Sequence, residues 1–401
     1  MLSNSDVHSN PEKPVSGAFR IDPTRGRRDG TVNAQWATRP DDERFLSLTE
    51  LSGFVRGRRD RSQELLATSK RLNITPGRQS GDLVIETDTC DAPLAPTHWG
   101  FGQIATLAGA PADYLRSLPA ELVADNIRFG LSQRTNEEIK LYAEMTSEGG
   151  AALRSATSRT YGRIFDDQVV DAVQRIAGNG VGDTFWKVPG MIDWSSMTHN
   201  PYVDVTRETT TLYASDRDIF IFLVDDTRPI EAGRLPNGDP DLYFRGFYVW
   251  NSDVGAAAFG MATFYLRGVC QNRNLWGTED FREVRIRHTA NAPLRFADEA
   301  APAIARLARS SPKSFVETLQ SAQMRIVAKT SEERTEFLVQ RGFTKGQASR
   351  IMETATREEG HPPASIYDFV QGVTGLARSI SHAEKRIALE QRGRSILMSA
   401  A

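Results

Sequence analysis

The chain reads as an α+β protein, with an antiparallel-rich central sheet, flanking helices and a helical C-terminal region. Three observations predict this. Paired apolar runs joined by short polar turns recur between residues 138 and 289. After Pro293 the apolar spacing changes to every third or fourth residue. With 39% apolar and 25% charged residues over 401 positions, the chain has core enough for two or three structural units.

Residues 1–40 hold Pro, Gly, Ser and Asn with few apolar side chains and read as a polar mobile arm. Residues 41–80 read as an N-terminal helical segment. Ser47, with Glu50 three positions on, forms a capping box; the helix is expected to break near Gly53 or Gly57 and resume through Leu65, Leu66 and Leu72. Its polar side holds Arg56, Arg58, Arg59 and Arg61, either a solvated face or a binding patch. The α+β core domain is expected over 81–290. Residues 83–87 alternate as a strand, and Thr97 leads a helix through Ile104 and Leu107 that Gly109-Ala110-Pro111 stops. Short helices follow over 111–118 and 121–131.

The sheet begins at 138–146 and 151–158, two β-rich runs around Ser147-Glu148-Gly149-Gly150. Asp166 caps a helix with Val169, Val170, Val173 and Ile176 on one face, ended by Gly178-Asn179-Gly180. A strand is expected through Phe185 and Val188. Next comes a hairpin, 206–213 with 219–224, and 219–224 is apolar at every position, as a strand covered on both faces requires. An acidic, Pro- and Gly-rich loop over 225–241 precedes two long strands within 242–274, joined by Asn251-Ser252-Asp253-Val254-Gly255, the second ending in the stretch from Arg267 to Asn274. A last strand spans 281–289. The C-terminal region, 291–401, reads as helices over 300–309, 312–329, 332–340, 345–358 and 365–377, with an amphipathic tail over 382–398.

The motifs of several common chemistries are missing: no phosphate-binding G-x-x-x-x-G-K-[ST] loop, no G-x-S-x-G elbow and no H-E-x-x-H helix. Two cysteines, Cys90 and Cys270, make neither a disulfide framework nor a Cys-based zinc site, and the six histidines show no metal-ligand spacing. Residues 1–20 lack the apolar stretch of a secretory signal, and no apolar run approaches the roughly 18 residues of a membrane span. The chain therefore reads as cytoplasmic and free of metals and cofactors.

Three enzymatic readings each meet a plainer one. Glu138-Ile139-Lys140, with Asp125 upstream, fits the acid-x-lysine pattern of metal-dependent nucleases, yet chance alone supplies about one such pair in this composition. Asp225, Asp226, Asp239 and Asp241 suit a divalent cation, or serve as turn-formers closing an apolar strand. Cys270 with His288 suggests a thiol nucleophile, or a small core residue at a strand end.

Nucleic-acid contact has more behind it. Net charge is only −2, but from Arg282 onward there are nineteen Lys and Arg against thirteen Asp and Glu. Arg267 and Arg273 flank a strand end. Arg285 and Arg287 fall on one face of the last strand, with Val284 and Ile286 on the other, so two guanidiniums stand about 7 Å apart, near the spacing of successive phosphates. Tyr248, Trp250 and Trp276 offer stacking platforms. The plainer reading is a strand with one wet face and aromatic core neighbours.

The turn Asn251-Ser252-Asp253-Val254-Gly255 and the strand end Leu266-Arg267-Gly268-Val269-Cys270-Gln271-Asn272 resemble the phage/plasmid-like protein family catalogued as domain of unknown function 932. In that family an Asn-Ser-acid-x-Gly turn precedes an Arg-x-x-Cys-x-Asn-Gly segment; Arg273 stands here where the family carries Gly. The passage from Ala156 to Tyr161, leading to Asp166-Asp167, is similar too, so the resemblance covers roughly residues 130–290. It implies a role in the DNA metabolism of mobile elements and no particular reaction. The function expected is a non-catalytic nucleic-acid-associated protein that binds or anneals single-stranded DNA as a homo-oligomer, away from membranes. The alternatives are a self-assembling protein that joins through its C-terminal helices, or a divalent-metal-dependent hydrolase.

Overall fold

The Ser47 hydroxyl accepts the Glu50 N–H at 3.1 Å, and the Glu50 carboxylate accepts the Leu46 N–H at 2.8 Å. Ser47 thus caps helix α1, Leu48–Arg61, as expected, but Glu50 closes on the N–H of Leu46 in place of the Ser47 N–H that a full capping box would use. The computed structural model describes residues 40–400 apart from 78–81, 148, 189–190, 194–197, 201–204, 208–209, 235–237, 239, 268–272, 276–283, 308–312 and 380–382. Helix α1 runs unbroken through Gly53 and Gly57. The helix expected to resume at Leu65 and Leu66 is instead a strand, because Ser62–Thr68 pairs residue for residue with the strand at Glu138–Met145. Good helix formers are overruled there by a ladder of inter-strand hydrogen bonds.

Along the chain the strands are β1 Arg44–Phe45, β2 Ser62–Thr68, β3 Asn73–Pro76, β4 Leu83–Thr87, β5 Cys90–Pro96, β6 Glu138–Met145 and β7 Ala151–Ser158. They continue as β8 Met191–Asp193, β9 Thr198–Asn200, β10 Leu212–Ala214, β11 Ile219–Arg234, β12 Pro240–Asn251, β13 Phe259–Arg267, β14 Arg273–Leu275 and β15 Val284–Ile286. After α1 the helices are α2 His98–Ala108, α3 Ala112–Leu115, α4 Ala120–Gln133 and α5 Asp166–Ala177. The C-terminal region holds α6 Ala292–Arg295, α7 Ala301–Leu307, α8 Lys313–Met324, α9 Ser331–Gln340, α10 Lys345–Glu359, α11 Ile366–Arg378 and α12 Ala383–Met398. This is an α+β fold with antiparallel-rich sheets and helices gathered toward its C-terminal end.

Two compact units interleave along the chain. The first comprises Gly57–Tyr161 with Val254–Ala256. Its sheet has the order β2-β6-β7-β5-β4-β3, antiparallel except for β5 beside β7. Helices α2 and α4 bury Phe101, Ile104, Ile127 and Leu131 against Ile74, Ile85, Leu94, Leu141 and Leu153. Thr97 caps α2 by accepting the Gly100 N–H, and Gly109 ends it, as expected.

The second unit comprises 40–56, 162–253 and 257–400. Its sheet has the order β1-β10-β11-β12-β13-β14, with β15 on the free edge of β13 beside β14. Ile219 to Val224 are all buried, as their unbroken apolar run requires. One sheet face (Ile221, Leu223, Phe247, Val249, Phe259, Met261) packs on α1, α5 and α7 through Leu51, Val55, Val170, Val173 and Ile304. The other carries an aromatic cluster: Tyr213, Phe220, Phe222, Tyr248 and Phe264, with Phe244 and Trp250 against it. A third core joins Ile230, Tyr243 and Tyr265 to the C-terminal helices.

Two expectations fail in this unit. The 225–241 loop is mostly strand, since β11 runs on to Arg234 and β12 begins at Pro240. Register shifts between Asp225 and Ile230 and between Glu231 and Arg234 let the ladder absorb Pro229. No strand forms through Phe185 and Val188; only Lys187 pairs, in a single bridge to Val224. No helix of the described residues is long and apolar enough to cross a membrane.

Candidate nucleic-acid interface

Strand β15 shows the alternation its sequence demands. Ile286 is fully buried against the α1/α5 core, while Arg285 and Arg287 on either side are exposed. Neither arginine has a hydrogen-bond or ion-pair partner among the described residues. Arg285 opposes Gly260 on β13, Gly260 opposes Trp250 on β12, and Trp250 opposes Phe220 on β11. Side chains in register across a sheet share a face, so Phe220, Trp250 and Arg285 form one row. The Trp250 indole lies over Gly260, where any Cβ would collide with its six-membered ring. Phe220, Tyr248 and Trp250 stack in series, with centroids 5.8 Å and 5.5 Å apart. Phe220 and Tyr248 are buried, and Trp250 remains half-buried at the end of the ladder.

The other arginines expected at the interface are placed only by their backbones. Arg267 opposes Tyr243 and Arg273 opposes Leu266; their side chains, like Trp276 and Cys270, lie outside the described residues.

The turn residues Asn251, Ser252 and Asp253 are buried, and their polar atoms face inward. In the second unit, Asn251 Nδ2 donates to the Ile164 carbonyl and to Asp166 Oδ1, both at 2.8 Å. Ser252 Oγ donates to the Arg217 carbonyl at 2.6 Å, and Arg163 donates to the Asp253 carbonyl. In the first unit, Trp99 Nε1 and Gln103 Nε2 both donate to the Val254 carbonyl at 3.0 Å, and Gly255 takes φ +89°. The motif is thus a buried hydrogen-bonding hub that shapes the β12–β13 connection. Its side chains are not offered to a ligand.

The described carboxylates among those considered for metal chemistry are engaged elsewhere. Buried Asp225 pairs with Arg228 at 2.6 Å and Arg245 at 3.7 Å; those guanidiniums stack over Phe185 and Trp186. Burial lowers the Arg245 pKa and pushes the neighbouring Tyr265 up to about 12. Asp241 accepts from the Tyr367 hydroxyl at 2.8 Å, within a buried chain that continues to Tyr243 at 3.0 Å and Gln371 at 3.2 Å. Asp239 and the Asp226 side chain lie outside the described residues, among which no cluster of three metal-ligating side chains occurs. In the first unit Glu138 pairs with Arg159, Asp125 with Arg128, and Lys140 Nζ donates to the Tyr161 carbonyl at 3.0 Å. His288 Nδ1 stands 3.2 Å from the Gly162 carbonyl and 3.3 Å from the Ile164 N–H. Burial, aided by the Arg163 charge, lowers its pKa to about 4.

The α1 arginines divide their roles. Arg56 pairs with Asp171 at 2.6 Å, whereas Arg61 reaches Glu144 at 2.7 Å, with Arg58 and the buried Arg154 3.9 Å from the same carboxylate. Arg154 in this cluster was missed by sequence reasoning. It sits in a run of small β-rich residues, and only the β2–β6–β7 pairing brings it to Glu144.

Residues 203–358 match the model of a family described as Domain of unknown function (DUF932). The match begins and ends further along the chain than the motifs suggested, taking in the Asn251 turn, Arg285 and Arg287 but not the passage from Ala156 to Tyr161. Comparison with curated proteins and with solved structures found no match. Over residues 203–358 the chain is accordingly similar to that family.

Proposed function

We propose that this chain is a non-catalytic nucleic-acid-associated protein of phage or plasmid DNA metabolism, one that binds or anneals single strands in the cytoplasm as a homo-oligomer. The row Phe220–Trp250–Gly260–Arg285 carries the reading. Single-strand binding needs an aromatic face for a base and uncompensated cations for the flanking phosphates. Trp250 keeps part of its indole at the surface, Arg285 follows on the same face, and Arg287 lies two positions further. Contact with successive phosphates needs neither a metal nor a nucleotide. The mobile-element setting is taken from the family resemblance.

The test is fluorescence anisotropy of a labelled oligothymidine titrated with the full chain across a salt series. Binding is expected to weaken as salt rises, with the log–log slope falling by about 0.7 for each of Arg285→Ala and Arg287→Ala. Affinity indifferent to salt, or unchanged in the double variant, sinks the reading.

A further inference from the structure

Between Ser331 and Glu359 two helices meet at a four-residue turn, and each turn position is filled by a residue suited to it. Leu338, in the last turn of α9, is fully buried. Gly342 takes φ +81°, the left-handed conformation that lets the chain reverse after α9. Phe343 then tucks under the turn at 3% exposure, its N–H donating to the Leu338 carbonyl at 3.1 Å. Thr344 and Gln347 form a reciprocal capping box, at 3.2 Å and 3.0 Å, which sets where α10 begins. Ala348, Ile351 and Ala355 are fully buried, and α11 presses close at Gly372, where a Cβ would come within 2.6 Å of the Ile351 carbonyl.

With that face turned inward, Lys345, Gly346, Ser349 and Arg350 remain exposed over the first two turns of α10. Lys345 and Arg350 have no hydrogen-bond or ion-pair partner among the described residues. Two more cations flank the turn: Arg341 stacks over Phe337 at 3.7 Å, and Arg392 over Phe343 at 4.5 Å while donating to the Gly342 carbonyl at 2.7 Å. Glu353, one turn along, accepts from Ser349 at 3.1 Å. Exposed acids lie on α9 at Glu332, Glu333 and Glu336 and on α10 at Glu353, so the cationic surface is confined to the turn and the first two turns of α10.

We propose that Ser331–Glu359 is a helix-turn-helix whose second helix, α10, enters the major groove of duplex DNA. The four-residue, glycine-containing turn matches the connection of this motif, whose helices are joined by three or four residues often including glycine. An α-helix about 10–12 Å across fits a groove about 12 Å wide, and such helices meet base edges with their N-terminal residues. Gly346 and Ser349 keep the leading surface small, and Lys345 and Arg350 supply cations for phosphates or guanine edges. This surface is separate from the β15 row, and the inference stands without the single-strand reading.

The test uses the full chain and a labelled mixed-sequence duplex at several salt concentrations, with an oligothymidine in parallel. Both side chains are exposed and have no partner among the described residues, so Lys345→Ala/Arg350→Ala is expected to keep the parent melting temperature. Its duplex affinity should fall at least about tenfold and its salt slope by about two, with oligothymidine binding unchanged. Arg350→Glu alone should weaken duplex binding further than Arg350→Ala. Absence of duplex binding at low salt overturns the proposal. So does parent-like duplex affinity in the double variant, or equal loss of duplex and single-strand binding.

Discussion

The six-membered ring of Trp250 fills the space above Gly260 that any larger residue there would need. The pair sets the height of the indole on the sheet and therefore how much of it stays at the surface next to Arg285.

Gly260→Ala is accordingly expected to push Trp250 off the sheet, at a cost of about 1–3 kcal/mol from overpacking. Urea melts give the energy, and the change in Trp fluorescence reports the displacement. An unchanged melt would show that the ring has room to move.

Asn251 joins Ile164 to Asp166 by two hydrogen bonds with no water between. Asn251→Ala leaves buried acceptors short of a donor and should cost about 2–4 kcal/mol. Asn251→Asp should be at least as damaging at neutral pH, because it sets one carboxylate against another, and should recover part of the loss in acid. Thermal melts of both variants at two pH values decide this.

His288 makes stability depend on pH. Its folded-state pKa, about 4, lies below the ordinary 6.5, so the unfolded chain takes up a proton that the folded chain refuses. Its contribution is intact above pH 6.5 and is lost as pH falls toward 4, amounting to about 1–3 kcal/mol after allowing for partial exposure. Unfolding free energies measured between pH 7 and 4.5 should decline less steeply in His288→Gln than in the parent.

The Tyr367 hydroxyl links Asp241 to Tyr243, tying α11 to β12 inside the third core. Tyr367→Phe keeps the ring and deletes the hydroxyl, removing a hydrogen bond to a buried carboxylate worth about 1.5–3 kcal/mol. Hydrogen exchange should then quicken in 366–378 more than in 98–108, whose core is separate.

Much of the fold was legible in the sequence wherever neighbours along the chain decide the outcome. The hairpin of β6 and β7 follows from alternation around a Gly-rich turn, and α2 from Thr97 at one end and Gly109 at the other. The C-terminal helices follow from their three-to-four-residue apolar spacing. Strand β2 was not legible, because Leu65, Leu66 and Ala67 suit a helix and turn extended only by pairing with residues some seventy positions away. The acidic, Pro-bearing stretch after Val224 looked like a loop because nothing local reveals a bulge that admits Pro229 into a ladder.

The candidate interface divides in the same way. The exposure of Arg285 and Arg287 around buried Ile286 was decided by the sequence, since a pleated strand sends successive side chains to opposite faces. Composition alone ruled out a disulfide framework. Only the tertiary structure decided that Trp250 lies in line with Arg285, that Asp225 answers to two arginines, and that Asn251 points inward. Those outcomes depend on register between distant strands and on where buried polar groups find partners, and such long-range pairings leave no trace in the order of residues.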